Sequence, residues 1–187
     1  MKSSKIIVSL VIILLCFSSI YIGVKKHRKI ESAKKILLSE DDFDISYKSL
    51  IINNKIDVSK ITDKIGFGIG HESNNYGLIS QIDGIERWQL YYPGKNNAEL
   101  RLIYLNTGDI NYLVSAYLID IPTKRGLKVG DSYEKLISLY GEPTLKEDNN
   151  QVEYIFNNKK IIISINPKTL KIQTIWLDYN YERSLLD

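Results

Sequence analysis

The residues best suited by type to chemistry stand together at Gly66, Gly68, Gly70, His71 and Glu72. A glycine-rich loop cradles phosphate when it opens a helix, because its backbone N–H groups then converge on the anion. Here the loop runs into Ser73-Asn-Asn-Tyr-Gly77, a turn, and its glycine spacing is not that of a dinucleotide fingerprint. The stretch reads as a flexible or bulged loop. His71 beside Glu72 has the residue types of an acid–base pair, yet sequence neighbours point apart and no HExxH pattern follows, so His71 reads as a surface histidine. His27 lies in a basic patch and reads as structural.

Ser32 with Lys35, and Ser132 with Lys135, match the serine–lysine spacing of penicillin-recognising enzymes. The companion motifs are absent, and a chain rich in both residues produces such pairs by chance. Asp41-Asp42 and Glu147-Asp148 sit in polar stretches that read as solvated loops. With two histidines and one cysteine, a multi-His metal site and an intrachain disulfide framework are both excluded. No catalytic residue, metal or cofactor is expected, and the chain reads as a non-enzyme.

The formal net charge of +3 hides a split. Lys2, Lys5, Lys25, Lys26, Arg28 and Lys29 precede residue 30 with no acid among them, which leaves 19 basic against 22 acidic residues beyond it. The basic residues flank an apolar run and the remainder is mildly acidic, so nucleic acid is rejected as the partner. That run, Ile6 to Val24, is 19 residues without a charge. As a helix it spans roughly 28 Å, close to a hydrocarbon core of about 30 Å. A cleaved signal peptide fits less well, because the apolar run continues past Ser18 and Ser19. A lipoprotein signal is disfavoured by Leu14 and Leu15 before Cys16. Residues 1–24 therefore read as an uncleaved signal-anchor, single-pass, with the C-terminal domain outside the cytoplasm. Residues 25–44 read as a helical juxtamembrane stalk, with Ile30, Ala33, Ile36 and Leu37 at helical spacing.

Residues 45–187 read as one extracytoplasmic α+β domain built on a repeated plan. Repeat one covers about 52–121 and repeat two about 124–181. Each opens with a short helix, 59–66 or 132–141, closed by Gly66 or Gly141. Asp131 is expected as the N-cap of the second, with Glu134 at the capping-box position. Three strands are expected after each helix: Arg87–Tyr92, Glu99–Leu105 and Tyr112–Ile119, then Val152–Phe156, Lys160–Ile165 and Lys171–Tyr179. Short turns between them make antiparallel meanders, joined in one curved sheet with the short helices on one face.

From Gly126 through Gly130-Asp-Ser to Gly141-Glu-Pro143 the sequence resembles the start of the β-lactamase-inhibitor-protein-like and SmpA/OmlA-like bacterial envelope domains. In the first copy Ile56 stands where the motif has Gly130. The resemblance implies short helices against an antiparallel sheet, a tandem unit in the inhibitor proteins, and a non-catalytic role in binding another protein.

Strand alternation then assigns a binding face. The chain holds 13 Tyr, 4 Phe and 2 Trp, enough to furnish a core and still place aromatics on an open sheet surface. Arg87, Tyr91, Arg101, Tyr117, Glu153 and Trp176 are expected there, and Tyr, Trp and Arg are the usual hot-spot residues of protein interfaces. The sequence as a whole therefore implies a membrane-anchored, protein-binding domain of the cell envelope. Its expected job is neutralising a secreted protein or toxin, as an inhibitor or immunity protein, or assisting envelope assembly. A small envelope hydrolase or transferase is the alternative.

Overall fold

A computed structural model describes residues 36–65, 77–82, 84–93, 97–147 and 150–179. Ile36 begins one compact unit; the unit before it, Met1–Lys35, which holds the expected anchor, lies outside the described residues. Among the described residues no helix is long and apolar enough to cross a membrane.

The domain is α+β, with a large antiparallel sheet and few helices. A hairpin comes first, β1 (Ile45–Tyr47) and β2 (Leu50–Ile52). Lys48 and Ser49 both adopt positive φ in its two-residue turn, the backbone that matches strand twist although neither is glycine. Helix α1 (Val58–Ile65) precedes β3 (Leu78–Ile82), β4 (Ile85–Tyr92), β5 (Leu100–Asn106) and β6 (Asn111–Leu118). Helix α2 (Tyr133–Tyr140) precedes β7 (Leu145–Glu147), β8 (Gln151–Phe156), β9 (Lys159–Ile165) and β10 (Ile172–Asp178). The strand order is β3-β4-β5-β6-β10-β9-β8-β7, so each meander runs inward and the two meet along β6 and β10.

Each helix is thus followed by four strands, not three. The extra ones, β3 and β7, are the two sheet edges, exposed at every residue. Here both edge strands bury neither face, so they lack the alternation that marks the others. The N-cap of α2 is also one residue later than expected. Ser132 Oγ accepts from the Lys135 N–H, while the Asp131 carboxylate accepts from the Lys128 N–H. Gly141 ends the helix at φ +74°, as its position implied.

The expected stalk is not a helix over its described part. Glu40–Phe43 forms a 3-10 turn that packs into the domain, with Phe43 fully buried against Phe156 and Tyr179. Asp42, expected in a solvated loop, is 3% exposed. Arg125 grips it from both sides, Nε to Oδ1 and Nη2 to Oδ2, and also donates to the carbonyls of Leu37 and Leu139. Lys159, itself buried, donates to Glu40 and to Asn54 and lies over the Phe43 and Tyr179 rings. Two charge pairs therefore pin residues 36–43 to the body.

α1, α2 and the β1–β2 hairpin all contribute to one core with one side of the large sheet: Ile52, Ile61, Leu136 and Tyr140 pack with Leu102, Leu118, Ile163 and Ile175. Three of the buried tyrosines keep a polar contact there. Tyr140 donates to Thr123 Oγ1, Tyr154 to the Gly141 carbonyl and Tyr179 to the Phe43 carbonyl.

Asp42→Ala leaves the Arg125 guanidinium partly buried without its carboxylate, and should cost about 3–5 kcal/mol in denaturant unfolding. The Lys159 ammonium holds the Glu40 carboxyl below its ordinary range. A carboxylate lowered on folding adds stability above its unfolded pKa, about 4.3, and loses it as pH falls through the folded value. Glu40→Gln should accordingly lower the unfolding midpoint at neutral pH and flatten the acid limb, the two proteins converging at low pH; an unchanged acid limb contradicts the pairing.

Candidate binding face

Side chains on neighbouring strands alternate between the helix-covered core and the other side. On β4, Leu90 and Tyr92 enter the core; on β5, Leu100 and Leu102; on β10, Ile175 and Leu177. Arg87, Gln89 and Tyr91, Arg101 and Ile103, Thr174 and Trp176 consequently occupy the opposite side. Among the described residues no helix or strand packs on that side.

Register then aligns the site. Tyr91 pairs with Arg101, Arg101 with Tyr117, Tyr117 with Trp176, Trp176 with Ile162, and Ile162 with Glu153. Five of the six residues expected on the face thus lie in one row crossing six strands. Arg87 is four residues from Tyr91 on β4, opposite Leu105. The row is physically coupled. The Arg101 guanidinium lies 5.7 Å from the Tyr91 ring centroid and 4.7 Å from that of Tyr117. Tyr117 stacks on Trp176 at 5.3 Å and an interplanar angle of 13°. Cation–π contact and offset stacking favour this order.

The face is less open than alternation alone implied. Ile103, on the same side as Arg101, is 2% exposed and forms a small second cluster with Leu105 and Val114, against which Ile85 and Tyr117 pack. The β5–β6 register shifts beside Val114, so this residue joins Ser115 as an extra position in its strand. Glu153 is on the expected side but 5% exposed, with Lys160 Nζ at 3.1 Å. It is an ion-paired residue of the row, not a free charge. Ser115 Oγ, Arg101 Nε and Trp176 Nε1 are shut from solvent and have no hydrogen-bond partner in the structure. A recess of about 230 Å³ adjoins the row, lined by Tyr117, Ile119, Val129, Gln173 and Thr174 among others. Its Val129 wall comes from the Gly126–Gly130 loop, which sequence reasoning treated only as a turn before the helix.

The other candidates resolve differently. Ser132 and Lys135 do come together, but as a helix cap: the serine oxygen meets the lysine backbone, while Lys135 Nζ pairs with Asp131 at 2.8 Å. That pairing holds the Asp131 carboxyl below its ordinary range. Burial pushes Tyr140 up to about 12, so its hydroxyl is a protonated donor to Thr123, not a base. Among the described residues no cluster of three or more His, Cys, Asp or Glu is placed to hold a metal. Gly66 to Glu72, Ser32, Lys35, His27 and Cys16 lie outside the described residues.

No family model and no curated protein matches the chain. Solved structures with similar backbones include a cysteine-rich secretory protein from Staphylococcus aureus (14% identity, TM-score 0.44, 68% of this chain). Others are an extracellular protein containing a SCP domain from Bacillus anthracis (14%, 0.43, 69%) and a DUF4309 family protein from Bacillus subtilis (14%, 0.39, 80%). This chain spans 44% of the length of the first two and 96% of the third. None of the three assigns a family.

If Ser132 serves as a cap, Ser132→Ala should cost about 1 kcal/mol of unfolding free energy and Ser132→Gly only a few tenths. Equal losses, or none, in thermal unfolding contradict that role.

Proposed function

We propose that this chain is a membrane-anchored, extracytoplasmic binding protein that holds another polypeptide against the side of its sheet opposite α1 and α2. The observation that carries the reading is the row Tyr91–Arg101–Tyr117–Trp176, aligned by register across four strands and braced ring to cation to ring. Rigid aromatics and arginine lose little entropy on binding and supply large contact area, which is why they dominate interfaces. The carboxylate of the row, Glu153, is ion-paired with Lys160, and the work expected of the row is recognition without catalysis.

The order helix-then-four-strands, met twice, supports reading the domain as two copies of one unit. That is also what the resemblance to the inhibitor and envelope-assembly domains implies, and it favours neutralising a secreted protein or toxin, or assisting envelope assembly. The apolar run Ile6–Val24, as an uncleaved anchor, raises the effective concentration of the binder at the cell surface, which suits protection from an incoming protein.

Affinity capture from intact producing cells tests the reading. A stoichiometric polypeptide partner should be retained by the wild-type chain and lost, by 2 kcal/mol or more, in roughly that range for hot-spot truncation, on Tyr117→Ala or Trp176→Ala. Retention by both variants contradicts the face. Hydrolysis of wall or lipid substrates, abolished by His71→Ala, contradicts the non-catalytic role.

A further inference from the structure

The recess beside the row is a gap built into the sheet. β6 leaves β10 after the Leu118–Ile175 pair, because the N–H groups of Ile119 and Asp120 both donate to the Glu99 carbonyl. β10 is next met by a different segment: the Gly130 N–H donates to the Ile172 carbonyl, and the Ile172 N–H to the Asp131 carbonyl. Between these two pairings Gln173 is an extra residue relative to β9, since Ile172 pairs with Ile165 and Thr174 with Ser164. Main-chain hydrogen bonds on both sides of Gln173 therefore set the gap before any partner arrives, and a preformed site costs a ligand less to enter.

Its walls are apolar and within reach of an incoming group. Ile119 and Val129, from the two segments that diverge there, are 40% and 37% exposed. A lone exposed aliphatic residue is ordinary, but two lining one concavity leave apolar surface for another group to cover. Among the described residues, none that lines the recess is Asp, Glu, Lys, Arg or His, so a phosphate, carboxylate or ammonium finds no counter-charge in it. Size narrows the occupant further. The recess measures about 230 Å³. An apolar cavity of about 150 Å³ admits benzene, whereas sites for drug-sized ligands and cofactors run from about 300 to 1,000 Å³. One bulky apolar side chain falls between those limits. Gln173 and Thr174, which also line the recess and are exposed, offer amide and hydroxyl groups to the main chain that carries such a side chain.

We propose that the recess receives one bulky apolar side chain of the partner polypeptide, Leu, Met or Phe, which enters beside Tyr117 and lies against Ile119 and Val129. This deepens the binding-face reading and rests on it, because Tyr117 belongs to both the row and the recess. The row supplies the flat contact and the recess the anchor, the arrangement in which a few residues carry most of an interface's binding energy.

Methyl nuclear magnetic resonance of the full chain in lipid nanodiscs tests the assignment. N-acetyl-leucine methylamide is the probe and its alanine analogue the control. The Ile119 and Val129 methyl signals, assigned with Ile119→Val and Val129→Ala, should move saturably with the leucine probe and require about tenfold more of the alanine analogue. Ile51, an exposed aliphatic residue of the β1–β2 hairpin, should stay still. Val129→Phe, which fills the recess, should abolish the response at Ile119. Ile119→Ser, which removes a wall and fills nothing, should weaken the response at Val129 about tenfold. Stationary Ile119 and Val129 signals up to the solubility limit of the probe overturn the inference. So do an equal response to the alanine analogue, a stronger response to octanoate, or shifts of the same signals with protein concentration alone. A captured partner lost on Trp176→Ala but kept by both Val129→Phe and Ile119→Ser overturns the recess alone; a partner kept by Tyr117→Ala and Trp176→Ala removes the face itself.

Discussion

The pairing of β6 with β10 is the constraint on which the rest depends. It joins two four-stranded meanders whose other strands pair only within their own group. Its register opposes Leu118 to Ile175 and Ala116 to Leu177, four residues that are each 0–2% exposed. A slip of one residue would turn all four out of the core, so burial fixes the alignment. The same alignment sets Tyr117 opposite Trp176 on the other side. The candidate face is therefore a by-product of core packing: what is buried beneath the sheet decides which aromatics meet above it.

Above and below, the sheet uses the same residue types differently. Tyr140, Tyr154 and Tyr179 are core residues with one satisfied hydroxyl each, and burial keeps them protonated. Tyr91 and Tyr117 are half-buried and spend their ring faces on Arg101. The core side is closed by two short helices, by the β1–β2 hairpin and by residues 36–43, which Arg125 and Lys159 hold in place. Arg101 Nε and Trp176 Nε1, buried without a hydrogen-bond partner, belong to the opposite side.

Alternation made the central strands and the five-residue row legible in the sequence, since period-two burial places Arg101, Tyr117 and Trp176 on one side whatever their partners. The edge strands were not legible: Leu78–Ile82 buries neither face, and its pairing is decided by β4. Asp42 was misread for a different reason. Its environment is set by Arg125, 83 residues away, and local polarity carries no trace of that contact. Glu153 was placed on the correct side but its burial was missed, because Lys160 reaches it only once the β8–β9 hairpin has formed. Ser132 capped α2 in place of Asp131 because both are good caps, and the extra contact from Lys135 to Asp131 separates them only in three dimensions.

Site-specific photocrosslinking in intact cells tests the central claim most directly, because it reports which side of the sheet touches a polypeptide without removing any core residue. A photoreactive phenylalanine analogue is placed at Tyr91 or Tyr117 on the row, and at Glu134 or Ser138 on the exposed surface of α2. Adducts with one discrete polypeptide at the two row positions and none at the two helix positions are the expected result. Adducts confined to the helix positions, or no polypeptide adduct from either row position, contradict the account.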